Sequence, residues 1–393
     1  MTWSVPLTDI RITDEDVEAV LDCLRSGWLT MGPRVQAFER KFAEYVGADH
    51  AIAVSSGTAA LHLAALAARV GPGDEVIVPN FTFVASATAA RYCGATPILC
   101  DSLGPHDLNL DPADVEARIS AATRAVVAVH FMGYAAEVDA LRELCDERGL
   151  MLIEDTAQAI GARARSGRMA GTVGDLGCFS LFSKKQLCVG EGGMVVTDDA
   201  ELASRVRLLR SHGMTSVTWD RHQGYAETYD VVEIGFNFRM DEPRAALGMS
   251  RIARLDDDIA VRRAHVRRYR EALRNRNLPI EIPWGDDAVA RSSHFAFPVL
   301  LPDRAMRDQV RDDLAGMGIQ TTAYPALTDL SEYGGGADSS TLARSRDIAG
   351  RHVALPLSSI MTESDVDTVV AAVAGVADKH PSLASNERRT AVS

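Results

Sequence analysis

The sequence predicts an α/β protein built on a large, mostly parallel sheet and followed by a smaller α+β unit. Three observations carry that expectation. Short runs rich in Val and Ile show almost no polar alternation, as strands covered on both faces do. Helical patterns separate these runs, and strands interleaved with helices imply parallel pairing through crossovers. Beyond about residue 240 the rhythm changes to long Arg-rich helices with a few isolated strand-like runs.

In chain order, the strand-like runs are 50–54, 75–78, 97–100, 125–129, 151–153, 178–181 and 194–197, seven in all. Helical patterns lie between them at 59–69, 84–92, 112–119 and 136–148, the last with Val138, Leu141, Leu144 and Cys145 on one face. Residues 245–276 read as one or two long helices leading into the second unit. That unit has strand-like runs at 293–300 and 319–323 and helical patterns at 304–317 and 363–376. The glycine-rich stretch 333–340 reads as a flexible loop and 381–393 as an unstructured tail. The expected organisation is a large domain over 1–250, with an N-terminal segment that can pack on the small domain, and a small C-terminal domain over 251–380. No internal repeat occurs.

The chain has 393 residues, 47% of them apolar and 24% charged, enough for one large core and a second, smaller one. Forty-one basic against fifty-four acidic residues give a net charge of −13, which argues against a nucleic-acid or membrane-surface protein. That balance does not exclude an anionic ligand, because local backbone donors bind phosphate whatever the net charge. The six cysteines (Cys23, Cys93, Cys100, Cys145, Cys178 and Cys188) form no CxxC pair, so reduced thiols are expected and no metal site. The chain lacks a basic segment followed by an apolar stretch at its start, and no run of eighteen apolar residues occurs. A soluble, cytoplasmic protein is the expectation.

The chemistry starts with a carboxylate and a lysine. Asp155 ends the apolar run Leu152-Ile153-Glu154-Asp155, and thirty residues later Lys184 and Lys185 follow Phe179-Ser180-Leu181-Phe182-Ser183. A carboxylate at a strand end and a lysine on a later turn are what a pyridoxal phosphate site needs. The amine forms the Schiff base, and the carboxylate keeps the pyridine nitrogen protonated. On these grounds alone either lysine could serve. Ser55-Ser56-Gly57-Thr58 links a strand to an apolar helix, so its backbone N–H groups and hydroxyls can hold a phosphate at the positive end of the helix dipole. The bland alternative is a plain N-cap by Ser56 or Thr58. Ser180 could donate to the same phosphate. Phe81 and Phe83 follow a strand end, where a ring could stack on a flat cofactor or simply fill the core. Gln158 lies one helical turn from Asp155 and could address another edge of that cofactor, or be an ordinary loop residue. Gly190-Glu191-Gly192-Gly193 is not a dinucleotide fingerprint, because the third glycine is missing and a strand follows where a helix is required. Its glycines more plausibly let backbone pass close beneath the lysine.

These motifs occur in an order that resembles the DegT/DnrJ/EryC1/StrS family of sugar aminotransferases, which are pyridoxal-phosphate enzymes of fold type I. The resemblance runs from Ser26-Gly27-Trp28-Leu29-Thr30-Met31-Gly32-Pro33 to Ala354-Leu355-Pro356-Leu357, nearly the whole chain. It implies that Lys185, not Lys184, is the Schiff-base lysine, since the family places it six residues after the Phe of Phe-Ser. It further implies Asp155 on the pyridine nitrogen, Gln158 on the phenolic oxygen and Phe83 on the ring face. Ser56, Gly57, Thr58 and Ser180 would hold the phosphate. Gly235-Phe236-Asn237-Phe238-Arg239 resembles a segment that crosses to the partner subunit in the family, so Asn237 would reach the partner's cofactor phosphate in a homodimer with shared sites. Arg239, Thr30, His294 and Tyr324 become substrate candidates. The implied reaction moves an amino group from L-glutamate to a nucleotide-linked 4-keto-6-deoxyhexose, at C4, in deoxyaminosugar biosynthesis, through pyridoxamine phosphate. C3 keto-sugar enzymes, inosose aminotransferases and an aminobenzoate synthase share the family, and a pyridoxal-phosphate-binding regulatory protein is the non-enzymatic alternative. Lys185 argues against the sugar dehydratases, which carry His at that position. The chain departs from the family at Gln186, where Asn is frequent. It also departs at Ala323-Tyr324-Pro325-Ala326-Leu327-Thr328 and at Leu355-Pro356-Leu357-Ser358, which lack the usual histidines, so the family's sugar contacts do not carry over there.

Overall fold

The computed structural model describes residues 3–276, 278–333 and 339–379. The expected tail 381–393 and the glycine-rich part of the expected loop, 334–338, lie outside the described residues. All seven anticipated runs join one sheet. Its strands are β1 (His50–Val54), β2 (Glu75–Pro79), β3 (Thr96–Cys100), β6 (Thr123–Val129), β7 (Met151–Asp155), β8 (Leu176–Ser180) and β9 (Gly193–Thr197), in the order β1-β9-β8-β7-β6-β2-β3. Two short strands that the sequence reading passed over, β4 (Ser102–Gly104) and β5 (Asp107–Leu110), pair as a small antiparallel hairpin.

The missing polar alternation has the cause the sequence suggests. Val76, Val78, Ala125, Val127 and Ile153 face one apolar layer with the helix Gly57–Ala67. Ile77, Val126, Ala128 and Leu152 face the other, which holds Leu141 and Cys145 of the helix Val138–Arg148. Successive residues point to opposite sides of a strand, so covering both sides makes every position apolar. Each such Val, Ile or Leu contributes roughly 1.5–3 kcal/mol by leaving water. The helix Gly57–Ala67 is buried at eight of its eleven positions, hence its nearly all-apolar sequence.

Topology decides where the site forms. β2, β3, β6, β7 and β8 run parallel, while β9 is antiparallel to both β8 and β1. β1 and β8 therefore point the same way, and Val54 and Ser180 both lie opposite Gly193. The carboxyl ends of β1, β7 and β8 share one edge, where parallel sheets gather their ligands.

The C-terminal unit is built on β10 (Phe297–Leu300) and β11 (His352–Leu355), antiparallel and covered by the helices Arg304–Gly316 and Glu363–Lys379. Two expectations are corrected here. Of the strand-like run 293–300 only Phe297–Leu300 is strand, because Ser293 and Phe295 instead bond the turn at Met132–Gly133. The run 319–323 makes only isolated bridges, of Ile319 with Val5 and of Thr322 with Ala354. The stretch 245–276 is two helices, Glu242–Ile252 and Leu255–Arg274. The N-terminal segment reaches the C-terminal unit through Ser4 and Val5 N–H groups donating to the Gly318 carbonyl.

Candidate active site

A cleft of about 300 Å³ opens at the shared carboxyl edge. At one end stands the N-terminus of the helix Gly57–Ala67. Ser56 is its N-cap, the side chain accepting from Ala59 N–H at 3.1 Å. Gly57 and Thr58 line the cleft, and as first-turn residues their N–H groups have no partner within the helix. Ser180 joins them, close enough that a Cβ on Gly57 would lie 2.8 Å from the Ser180 Cβ. The glycine run 190–193 makes this approach feasible. A Cβ on Gly193 would sit 2.3 Å from the Ser56 carbonyl oxygen. Its neighbours also hold the strand leading to the lysine, with Leu181 N–H donating to Gly192 O and Ser183 N–H to Gly190 O. The sequence reading set these glycines beneath the lysine; the tightest contact is under the serine–glycine turn.

Asp155, at the end of β7, forms the opposite end. Its carboxylate is buried and accepts from Ser86 Oγ at 2.7 Å and from Ala157 N–H at 3.1 Å. Burial pushes the carboxyl above its usual range, while the Ser86 and Ala157 hydrogen bonds and the Lys185 charge pull against that rise. A second buried layer lies behind it. Glu154 accepts from Gly171, Val173 and Gly174 N–H groups and from His130 Nε2 at 2.8 Å. His130 Nδ1 accepts from Ala136 N–H, so the ring proton is on Nε2 and points at Glu154. Burial acts upward on Glu154, yet His130 and these backbone donors hold it below the usual carboxylate range.

Between the two ends lies Lys185. Burial lowers its amine to about 8, with Asp155 acting the other way. The Nζ sits 4.4 Å from the centre of the Phe295 ring. Lys184 also borders the cleft but is exposed. Gln158 uses Oε1 to accept from Met132 N–H at 2.8 Å, leaving its amide N–H₂ as the group available to the cleft. Gln186 is buried and donates to the Gln158 carbonyl and to Ser293 Oγ, tying the lysine turn to the C-terminal unit. Of the two phenylalanines, Phe81 is core, 4.7 Å from Phe131, whereas Phe83 is 55% exposed at the cleft mouth.

The cleft thus brings together Ser56, Gly57, Thr58, Phe83, Asp155 and Gln158 with Ser180, Lys185 and Tyr324. Four expected residues lie elsewhere. Thr30 is exposed ahead of the helix Pro33–Val46, and Asn237 is exposed, bridged through its backbone to Ser211. Arg239 is half-buried and bridged to Val54. His294 is wholly buried, with Nε2 at 3.1 Å from the Val289 carbonyl and the ring pushed down to about 3 by burial. It cannot meet a substrate in the cleft. The turn that buries it, with φ of 53° at His294 against Met132 and Gly133, aims Phe295 into the cleft instead. Sequence reading missed Thr82, Ser86 and Phe295. Ser86 carried a signal, lying three residues after Phe83 at a helix start.

The arrangement fits pyridoxal phosphate. Unpartnered helix N–H groups suit its phosphate, a buried carboxylate suits its ring nitrogen, and a lysine of lowered basicity lies between them. Among the described residues there is no cluster of groups able to hold a metal ion, and no helix long and apolar enough to cross a membrane.

The profile of the DegT/DnrJ/EryC1/StrS aminotransferase family matches residues 10–374. GDP-perosamine synthase of Caulobacter vibrioides is 37% identical over 368 residues, spanning 92% of this chain and 95% of that protein. The dTDP-3-amino-3,4,6-trideoxy-alpha-D-glucose transaminase of Streptomyces venezuelae is 37% identical over 384 residues, spanning 95% and 96%. The crystal structure of the aminotransferase TlmJ from Streptoalloteichus hindustanus superposes with a TM-score of 0.87 at 32% identity, covering 95% of this chain and 99% of that one.

Proposed function

Since the chain belongs to the DegT/DnrJ/EryC1/StrS aminotransferase family, a group of pyridoxal-phosphate-dependent sugar transaminases, we propose that it transfers an amino group from L-glutamate to C4 of a nucleotide-linked 4-keto-6-deoxyhexose. The observation that carries the reading is the meeting of Lys185 with Asp155 in one cleft beside the Ser56–Thr58 turn. A protein that only held the cofactor would not need a buried carboxylate aimed at an electron sink.

Pyridoxal phosphate supplies, when bound, a sink for the electron pair released at the donor's Cα. The chain's own groups do the rest. Lys185 would hold the cofactor covalently, and its free amine would take the proton from the donor's Cα. An amine lowered to about 8 is partly neutral near physiological pH, as a general base must be. Asp155 keeps the ring nitrogen protonated. The Gln158 amide N–H would donate to the phenolic oxygen, and Gly57, Thr58 and Ser180 would hold the phosphate. Phe83 would pack against the cofactor ring, and Phe295, 4.4 Å from the Lys185 amine, would keep water from it. Tyr324 borders the sugar side.

The proposed assembly is a homodimer. Asn237 reaches the partner's cleft, and Arg239 binds an anionic group of donor or substrate. Supporting this, Tyr225, Tyr229, Val231, Val232 and Ile234, just ahead of Asn237, are more than half exposed, Ile234 at 88%. One observation favours a second reading, amination at C3: the Streptomyces venezuelae relative is named for a 3-amino sugar.

Parallel incubations with glutamate and either a nucleotide-linked 4-keto-6-deoxyhexose or a nucleotide-linked 3-keto-6-deoxyhexose, with NMR of each product, test both. A C4 amine supports the first reading and a C3 amine the second. No turnover on any nucleotide keto-sugar would sink both. A visible cofactor band that glutamate bleaches separates an enzyme from a binding protein.

A further inference from the structure

Resting on the pyridoxal-phosphate reading, we infer that Ser86 is a positioning residue that keeps Asp155 ionised and turned toward the ring nitrogen. Ser86 lies in the first turn of the helix Ala85–Tyr92, wholly buried, and its Oγ is 2.7 Å from Asp155 Oδ2. Its hydroxyl carries one proton and has three nearby acceptors, Asp155 Oδ2, Thr82 Oγ1 at 3.1 Å and the Phe83 carbonyl at 3.3 Å. The shortest contact, to an anion, takes the proton, since charge-assisted hydrogen bonds are about twice as strong as neutral ones. Thr82 Oγ1 stands 3.1 Å from Ser86 Oγ, also buried. With the Ser86 proton committed to Asp155, Thr82 donates to Ser86, and the two hydroxyls form a polarised chain ending on the carboxylate. Ala157 N–H holds the other oxygen, so both carboxylate oxygens are tethered.

The chain answers a specific difficulty. A carboxylate wholly removed from water favours its neutral form, and a neutral Asp155 would be a poor anchor for a pyridinium. The charged or titratable groups facing Asp155 are Lys185 from the β8–β9 connection, His130 at the end of β6 and Cys178 on β8, with Glu154 as chain neighbour. The Lys185 charge disappears when the amine is neutral, and the His130 proton is committed to Glu154. Ser86 and the Ala157 N–H are the donors that stay throughout, and Ser86 is the one that a side-chain substitution removes. The Phe83 carbonyl gives it an alternative acceptor if Asp155 gains a proton, so Ser86 favours ionisation without clashing with the neutral form.

The test uses the full chain loaded with pyridoxal phosphate carrying ¹⁵N in its ring. The readouts are the ring-nitrogen NMR shift against pH and the cofactor dissociation constant. The wild type is expected to keep the ring nitrogen protonated from about pH 6 to about pH 9. Ser86→Ala is expected to make it titrate within that window and to weaken cofactor binding about tenfold. Ser86→Thr, which restores a hydroxyl, is expected to recover both. If Ser86→Ala does not fold, Ser86→Cys keeps the volume with a weak donor and is expected to move the shift in the same direction. A ring-nitrogen shift unchanged at every pH in the folded variant overturns the inference, even if turnover falls. A wild type with no bound-cofactor resonance overturns the enzyme reading itself, and this inference with it.

Discussion

At Lys185, burial does chemical work. An ordinary lysine is protonated until well above physiological pH, but this amine is lowered to about 8. Two outcomes follow at the residue scale. The rate at which cofactor loads onto apoprotein should rise with pH through a midpoint near 8, and a midpoint in the ordinary lysine range would contradict the site's geometry. Stability carries the same signature. The unfolded chain keeps this proton up to the ordinary lysine value of 10.5, whereas the folded chain releases it above about 8, so folding gains with pH between those values. The stability difference between wild type and Lys185→Met, followed by denaturant unfolding, should change across that window and be flat below it. Lys185→Ala should lower turnover by a factor of at least ~10³ by removing both cofactor carrier and base. Lys184→Ala should leave most of it. The choice between the adjacent lysines is a matter of environment, since one is enclosed with Asp155 and the other faces solvent.

At the element scale, the site depends on how closely β9 approaches the turn Ser56–Gly57. Gly193 has no room for a methyl group, because its Cβ would meet backbone that cannot rotate away. Gly193→Ala should cost about 1–3 kcal/mol of stability in denaturant titrations and weaken cofactor retention together with it. Gly316 is the control. It closes the helix Arg304–Gly316 with open space around its Cβ, so Gly316→Ala should leave stability and cofactor retention close to wild type. The strand runs were readable because their burial on two faces left an unbroken apolar record. The hairpin β4–β5 was not, because three- and four-residue strands carry too short a pattern. The run 319–323 misled for a related reason: only Ile319 is buried, bridged to Val5, while Thr322 alone bridges to Ala354 of β11, and two isolated bridges do not make a strand.

For the whole molecule, the proposed shared site makes a prediction that one subunit cannot satisfy alone. Lys185→Ala and Asn237→Ala should each be nearly inactive. Mixed and re-equilibrated, they should recover roughly a quarter of wild-type activity, because half the dimers are hybrid and each hybrid has one intact site. No recovery would place Asn237 outside the partner's chemistry. Ile234→Lys, introducing charge at the most exposed apolar side chain of the segment, should shift the dimer toward monomer in sedimentation and reduce turnover in proportion.

The alternation of strands and helices and the parallel sheet were determined by the sequence alone, because both-face burial is a local pattern, and ordered motifs marked most of the candidate site residues. Tertiary structure decided which of these residues meet. The antiparallel turn of β9 sets Ser56, Gly57 and Ser180 side by side, though the turn and Ser180 are more than a hundred residues apart in the chain. The interlock of Met132 and Gly133 with residues 292–295 sends Phe295 into the cleft and buries His294. No local pattern records a contact between segments so far apart, nor the hydroxyl of Ser86 reaching Asp155 from a neighbouring helix. Those contacts come from packing, and they set the surroundings of the charged groups in the candidate site.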